Sequence, residues 1–196
     1  MAKTRLSKCS FVEHGYGQVE ENHLSARRTG RIYAQLPAAA SIELLENGQF
    51  VKYNYKDKVV DFTGQGEWML VNNEVKIYEL REQADDFAMV KDNYGVSAVN
   101  YAGNTTSTSA FGVYDAAGNT SPANTSMVPR VFGTQVGDLY TTNTINEESV
   151  AVGDILKVNA ADGYLSKTGD SDMEWQVVKV YTMPDLQKGV KLQRVQ

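Results

Sequence analysis

The feature that most constrains this chain is a series of short apolar runs divided by turn residues across its last third, Gly137 to Val195. Val150-Ala-Val-Gly-Asp-Ile-Leu-Lys-Val158 leads to a turn at Asp162-Gly163 and then to Tyr164-Leu165. After a polar turn from Gly169 to Asp172 comes Glu174-Trp-Gln-Val-Val-Lys-Val-Tyr181. A turn around Pro184 to Gly189 then gives way to Val190-Lys-Leu-Gln-Arg-Val195. Runs this short and rich in β-branched and aromatic residues, bounded by Gly, Asp and Pro, predict an antiparallel meander.

The first half carries the same grammar. Ile32-Tyr33-Ala34-Gln35-Leu36 stops at Pro37, and Ile42-Glu-Leu-Leu45 reaches Asn47-Gly48 before Phe50-Val-Lys-Tyr-Asn-Tyr55. Asn-Gly between apolar runs predicts a tight hairpin, because both turn positions need φ > 0. On the last of these runs Val51, Tyr53 and Tyr55 share one face, which suits a strand with one buried side. Val59-Val60-Asp61-Phe62, Trp68-Met-Leu-Val71 and Val75-Lys-Ile-Tyr78 continue the pattern, with Asn72-Asn73 as a second tight turn. Helical spacing occurs only over residues 79–90, where Leu80, Ala84, Phe87 and Ala88 fall on one face; its last four residues suit a strand equally well.

Composition divides the chain. Of the 25 residues from 102 to 126, 20 are Ala, Gly, Ser, Thr or Asn, too little apolar surface to build a core. The expected organisation is an extended basic arm (1–31), an N-terminal β unit (32–100), a linker or surface loop (101–130) and a C-terminal small β-barrel unit (131–196). The fold class is mainly β: two small antiparallel β-barrel or sandwich units, the N-terminal arm and at most one short helix. A single sandwich with the polar segment as a flap is the other arrangement these signals allow. Trp68 and Trp175 both stand in Glu-Trp-x-Leu/Val-Val and are the expected core anchors, since an indole brings a large apolar area to a small sheet. The two copies read either as an ancestral duplication or as shared hairpin grammar. Val136-Gly-Asp-Leu139 and Val152-Gly-Asp-Ile155 form a second echo.

Charge is unevenly placed. The net charge is −5, yet Lys3, Arg5, Lys8, Arg27, Arg28 and Arg31 outnumber Glu13, Glu20 and Glu21 in the first 35 residues. A basic arm on an acidic body suits docking on an acidic neighbour and argues against general nucleic-acid binding. Arg27, Arg28 and Arg31 are the candidate docking residues. Cys9 alone cannot close an internal disulfide, and a chain this long buries roughly 70% of its unfolded surface without one. The N-terminal residues have no signal-peptide core, and no run of about 18 apolar residues exists, so synthesis in the cytoplasm and no membrane span are expected.

No catalytic signature emerges. Cys9, His14 and His23 lie in the arm without a second thiol or an orienting acid, and these are the chain's two histidines, so the body has no His-based acid or base. Asp170-Ser-Asp172-Met-Glu174 offers alternating carboxylates but lacks the mid-loop Gly and distant Glu of an EF-hand, and reads as a solvated turn. Gly15-Tyr-Gly17 and Gly64-Gln-Gly66 stop short of a phosphate-binding fingerprint. The expectation is a non-enzymatic protein with no cofactor and no metal.

The run Val152-Gly-Asp-Ile-Leu-Lys-Val-Asn-Ala-Ala-Asp-Gly-Tyr-Leu165, with Glu174-Trp-Gln-Val-Val-Lys-Val180 and Gly189-Val-Lys-Leu192, resembles the small β-barrel of tailed-bacteriophage head decoration proteins. The likeness covers about 60 of 196 residues and rests on strand-and-turn motifs. It implies a virion protein on the capsid surface, made in the host cytoplasm, that binds the major capsid protein and reinforces the shell, often as a trimer. Residues 1–130 depart from compact decoration proteins, which leaves a fibre or head-tail role open. The competing expectation is a carbohydrate- or cell-surface-binding β module of a tail or head fibre, using exposed tyrosines.

Overall fold

The computed structural model describes residues 6, 17–73, 88–90, 96–97, 122–123, 127–183 and 187–196. In chain order these form β1 (Val19–His23), the one-turn helix α1 (Ala26–Thr29), β2 (Ile32–Tyr33), β3 (Leu44–Glu46), β4 (Phe50–Asn54), β5 (Val59–Asp61), β6 (Met69–Val71) and β7 (Ala88–Val90). There follow β8 (Val96–Ser97), β9 (Pro122–Ala123), β10 (Val131–Gly133), β11 (Leu139–Thr142), β12 (Ile155–Val158), β13 (Leu165–Ser166), β14 (Glu174–Thr182) and β15 (Lys188–Arg194). The protein is mainly β, with two principal antiparallel sheets. One has six strands in the order β1-β11-β15-β14-β12-β13, the other five in the order β2-β10-β6-β4-β5. Two further pairs are β3 with β7 and β8 with β9. Among the described residues no sheet closes into a barrel.

Strand alternation explains how the two sheets share a core. In the five-stranded sheet Phe50, Leu70 and Phe132 stand in one cross-strand row, and all three side chains are buried. That row enters the same apolar cluster as Leu156, Val158, Trp175, Val177, Val190 and Leu192 of the six-stranded sheet. The alternate residues Val51, Met69, Val71 and Val131 point the other way, into a second cluster with Ile42, Leu45 and Tyr53. The five-stranded sheet is therefore apolar on both faces, and β6 has no exposed residue. Each fully buried large side chain contributes about 1.5–3 kcal/mol of transfer free energy.

A polar seam ties the sheets together. The Phe50 N–H donates to the Gly163 carbonyl at 2.7 Å and Gln49 Nε2 to the Asp162 carbonyl at 2.9 Å. Thr144 Oγ1 donates to the Asn47 carbonyl at 2.6 Å, and the buried Tyr164 hydroxyl donates to Glu46. Unpaired polar groups at this depth would each cost about 1–3 kcal/mol, so these bonds define how the layers meet.

Several sequence expectations are corrected by this arrangement. Residues 17–31 are not a separate arm: β1 pairs with β11, and Leu24 and Ala26 are buried in the shared core. The boundary at residue 131 does not separate the sheets, because β10 inserts between β2 and β6. The Asn47-Gly48 turn forms, but β3 and β4 do not pair across it. The Asn47 side chain instead grips both the N–H and the carbonyl of Asn73, and the Gly48 N–H donates to the Val71 carbonyl. The turn is thereby docked on the end of β6, and β3 pairs with β7. The expected helix lies largely outside the described residues, while its last three form the strand β7. Most of the 102–126 segment also lies outside them; Pro122–Ala123 is strand β9.

The two echoes fare differently. Val136-Gly137-Asp138 and Val152-Gly153-Asp154 build the same turn bond for bond. Each glycine has φ near +95° (94° and 96°), and each aspartate Oδ2 accepts the N–H three residues back, at 2.9 and 2.8 Å. Each turn then docks on the neighbouring strand, Gly137 and Asp138 on Arg194, Gly153 and Asp154 on Val177. The Trp echo has no such equivalence. β4, which follows Asn47-Gly48, lies beside β6, whereas β12 separates β13, which follows Asp162-Gly163, from β14.

Candidate functional site

The three candidate docking arginines do not act alike. Arg27 lies at the end of α1, where Nε and Nη2 form a fork on the Glu21 carboxylate at 2.6 Å each. Its guanidinium also lies 5.2 Å from the Phe132 ring centre. Arg31 leaves the helix after Gly30 and donates to Glu67 at 2.5 Å. Both cations are therefore engaged within the fold. Arg28 is exposed, and its side chain has no partner among the described residues. Of the three arginines, it is the one that the described residues leave for an outside anion.

Trp175 is fully buried, with its ring 4.8 Å from Tyr140 and 5.8 Å from Phe50 in tilted and edge-on geometries. Trp68 is also buried, with Lys52 Nζ 4.6 Å above its ring. Both indoles lie in the shared core. The Tyr140 hydroxyl and Trp175 Nε1 are buried without hydrogen-bond partners, and burial pushes the Tyr140 hydroxyl well above its usual pKa.

Among the described residues no group of metal-ligating side chains gathers. The turn carboxylates that alternate in sequence diverge in space: Asp170 accepts the Ala160 N–H at 2.8 Å, and Glu174 pairs with Lys157 at 2.9 Å. Cys9 and His14 lie outside the described residues, and His23 is exposed at the end of β1.

A cleft of about 450 Å³ opens where the sheets meet, lined by Lys52, Glu67, Trp68, Asp172 and Arg194 among others. Its charges are largely matched internally, with Arg194 shared between Glu67 and the Thr134 carbonyl and hydroxyl. Because Lys52 covers the Trp68 ring, the cleft offers no open aromatic face to stack a sugar. Elsewhere Tyr33, Tyr53 and Tyr55 cluster, but Tyr53 is 4% exposed against 72% for Tyr55. They give one exposed ring, not a platform.

A second cationic feature was missed in sequence. Lys179 and Lys191 stand directly opposite across the β14–β15 hairpin, and Lys188 lies opposite Thr182. The signal was present in outline, since residues equidistant from 185 oppose one another once the turn near Pro184 closes a hairpin. That register is unbroken from Thr182 opposite Lys188 to Lys179 opposite Lys191, and the bulge between Val177 and Lys179 shifts only the pairs farther from the turn.

Comparison with known proteins found no matching family model, curated protein or solved structure.

Proposed function

We propose that this chain is a structural protein of a tailed-bacteriophage virion that binds the outer surface of the capsid and stabilises it. The observation that carries the reading is the assembly of the decoration-like residues into one continuous surface. β13, β12, β14 and β15 are consecutive neighbours in one sheet, backed by the shared core. Such a body works by shape and by its edges, and repetition of a modest contact over a lattice gives strong attachment. Arg28 is the outward cation suited to an acidic patch on the major capsid protein.

The test is the copy number of the chain in purified virions, measured by quantitative mass spectrometry. Hundreds of copies in simple ratio to the major capsid protein are expected. A dozen or fewer would assign it to a portal, tail or fibre, and absence from particles would overturn the reading. Deleting residues 2–31 is not a suitable probe, because β1, Leu24 and Ala26 belong to the body. Arg28→Glu alters the surface alone and should weaken attachment without changing unfolding.

A further inference from the structure

The cleft between the sheets holds two opposite charges that the fold leaves unmatched. Side chains alternate along β4, so Lys52 points to the same side as Phe50, toward the six-stranded sheet, while Val51 and Tyr53 enter the other cluster. Phe50 is fully buried in the shared core, and two residues on the same face carries an ammonium over the Trp68 ring. Asp172 lines the cleft from the other sheet, between Ser171 and Met173, which are both buried. The Ser171 hydroxyl donates to the Met173 carbonyl and accepts the Val158 N–H, which fixes the backbone that presents Asp172.

The neighbouring charges are already matched. Arg194 is engaged by Glu67, the Thr134 carbonyl and the Gln196 main-chain oxygen, Glu67 is shared with Arg31, and Asp170 accepts the Ala160 N–H. Lys52 and Asp172 have no ion pair and no side-chain hydrogen bond among the described residues, and although both line the cleft they do not pair with each other. Stability alone favours an apolar side chain at Lys52, because a half-buried charge loses hydration and here gains no counter-charge.

An ion of one sign cannot satisfy both walls. An anion drawn to Lys52 meets Asp172, and a cation drawn to Asp172 meets Lys52. The buried side chains of Trp68 and Met173 add apolar surface, and about 450 Å³ gives room for a small organic molecule. We propose that the cleft binds a small zwitterion of the amino-acid kind, with its carboxylate on Lys52 and its ammonium on Asp172. Arg28 belongs to neither wall, so this site and a capsid contact can be tested separately.

The probes are glycine, β-alanine and γ-aminobutyrate, which separate the two charges by increasing lengths, titrated calorimetrically into the full chain at low salt. One of them is expected to saturate with a Kd of about 1 mM or below and to raise Tm. Butyrate and butylamine, each with one of the charges, should bind at least about tenfold more weakly. Lys52→Met keeps the cover over Trp68, and Asp172→Asn keeps the shape of the turn; each should weaken binding about tenfold, with the unliganded Tm unchanged or raised. Failure of all three amino acids to saturate by about 10 mM would overturn the proposal. So would butyrate or butylamine binding as tightly as the best amino acid, or either variant binding as tightly as the wild type.

Discussion

Replacing Gly163 with alanine tests whether the two sheets form one body. Gly163 has φ +72°, and a Cβ placed there would lie 2.1 Å from the Phe50 carbonyl oxygen and 2.7 Å from the Phe62 ring. The first neighbour is backbone in β4, so it cannot rotate away. The left-handed conformation alone costs an alanine about 1–2 kcal/mol. Parting the chains also loosens the Phe50 N–H bond to Gly163 and the Gln49 bond to Asp162, each contributing about 1 kcal/mol. Together the loss is about 3–4 kcal/mol, or a fall of about 6–16 °C in Tm for a chain of this size. Gly137→Ala is the control, since Gly137 has φ +94° but nothing within 4 Å of the added methyl. It should lose only the conformational part, about 1–2 kcal/mol. Urea unfolding followed by tryptophan fluorescence reads both, because Trp68 and Trp175 lie in the shared core. Gly163→Asn tolerates positive φ but keeps the clash, and should remain at least about 2 kcal/mol less stable than wild type. Equal losses for Gly163→Ala and Gly137→Ala would refute the docked seam, and a separate unfolding transition for each sheet would refute the common core.

Three further outcomes follow from single residues. Asp138 is buried and accepts from the Ser25 N–H, the Ser25 hydroxyl and the Gln135 N–H at 2.8–2.9 Å, so Asp138→Ala should cost about 2–4 kcal/mol in chemical unfolding. The equivalent Asp154→Ala, at an exposed turn where Lys167 is its side-chain partner, should cost distinctly less. Tyr140→Phe removes a buried hydroxyl that has no partner, and thermal unfolding should show no loss or a gain of up to about 1 kcal/mol. At Asp61 partial burial raises the carboxyl pKa, but bonds from Asn54, the Gly64 N–H and Thr63 outweigh it and hold the group below its ordinary value. The stabilisation is complete above the unfolded value of 3.8 and is lost as pH falls through the lower folded one. Asp61→Asn should therefore flatten the stability–pH curve in that acidic window, which stability measurements through the window would detect.

How much of the fold was legible depended on the range of the forces involved. β12, β13, β14 and β15 lie where alternation and turn residues place them, because side-chain direction in a strand and φ > 0 at a turn are local properties. The candidate site was less legible. Arg27, Arg28 and Arg31 are equivalent as a sequence cluster, and only folding pairs two of them, with Glu21 and Glu67. The lysines of the β14–β15 hairpin were visible as residues, but their opposition depended on where the hairpin turn is centred, which the paired strands fix.

The amino-acid order by itself determined a β-rich chain, its turn positions and the apolar side chains at Trp68 and Trp175. Tertiary structure decided which strands became neighbours. β10 left its sequence companions to lie between β2 and β6, and β1 became the edge of the sheet built mostly from the last third of the chain. A strand's own residues specify which face seeks burial, but many partners can offer an apolar face. The choice falls to the one arrangement in which Phe50, Leu70, Phe132 and Trp175 are buried together and the polar groups of the seam are bonded across it.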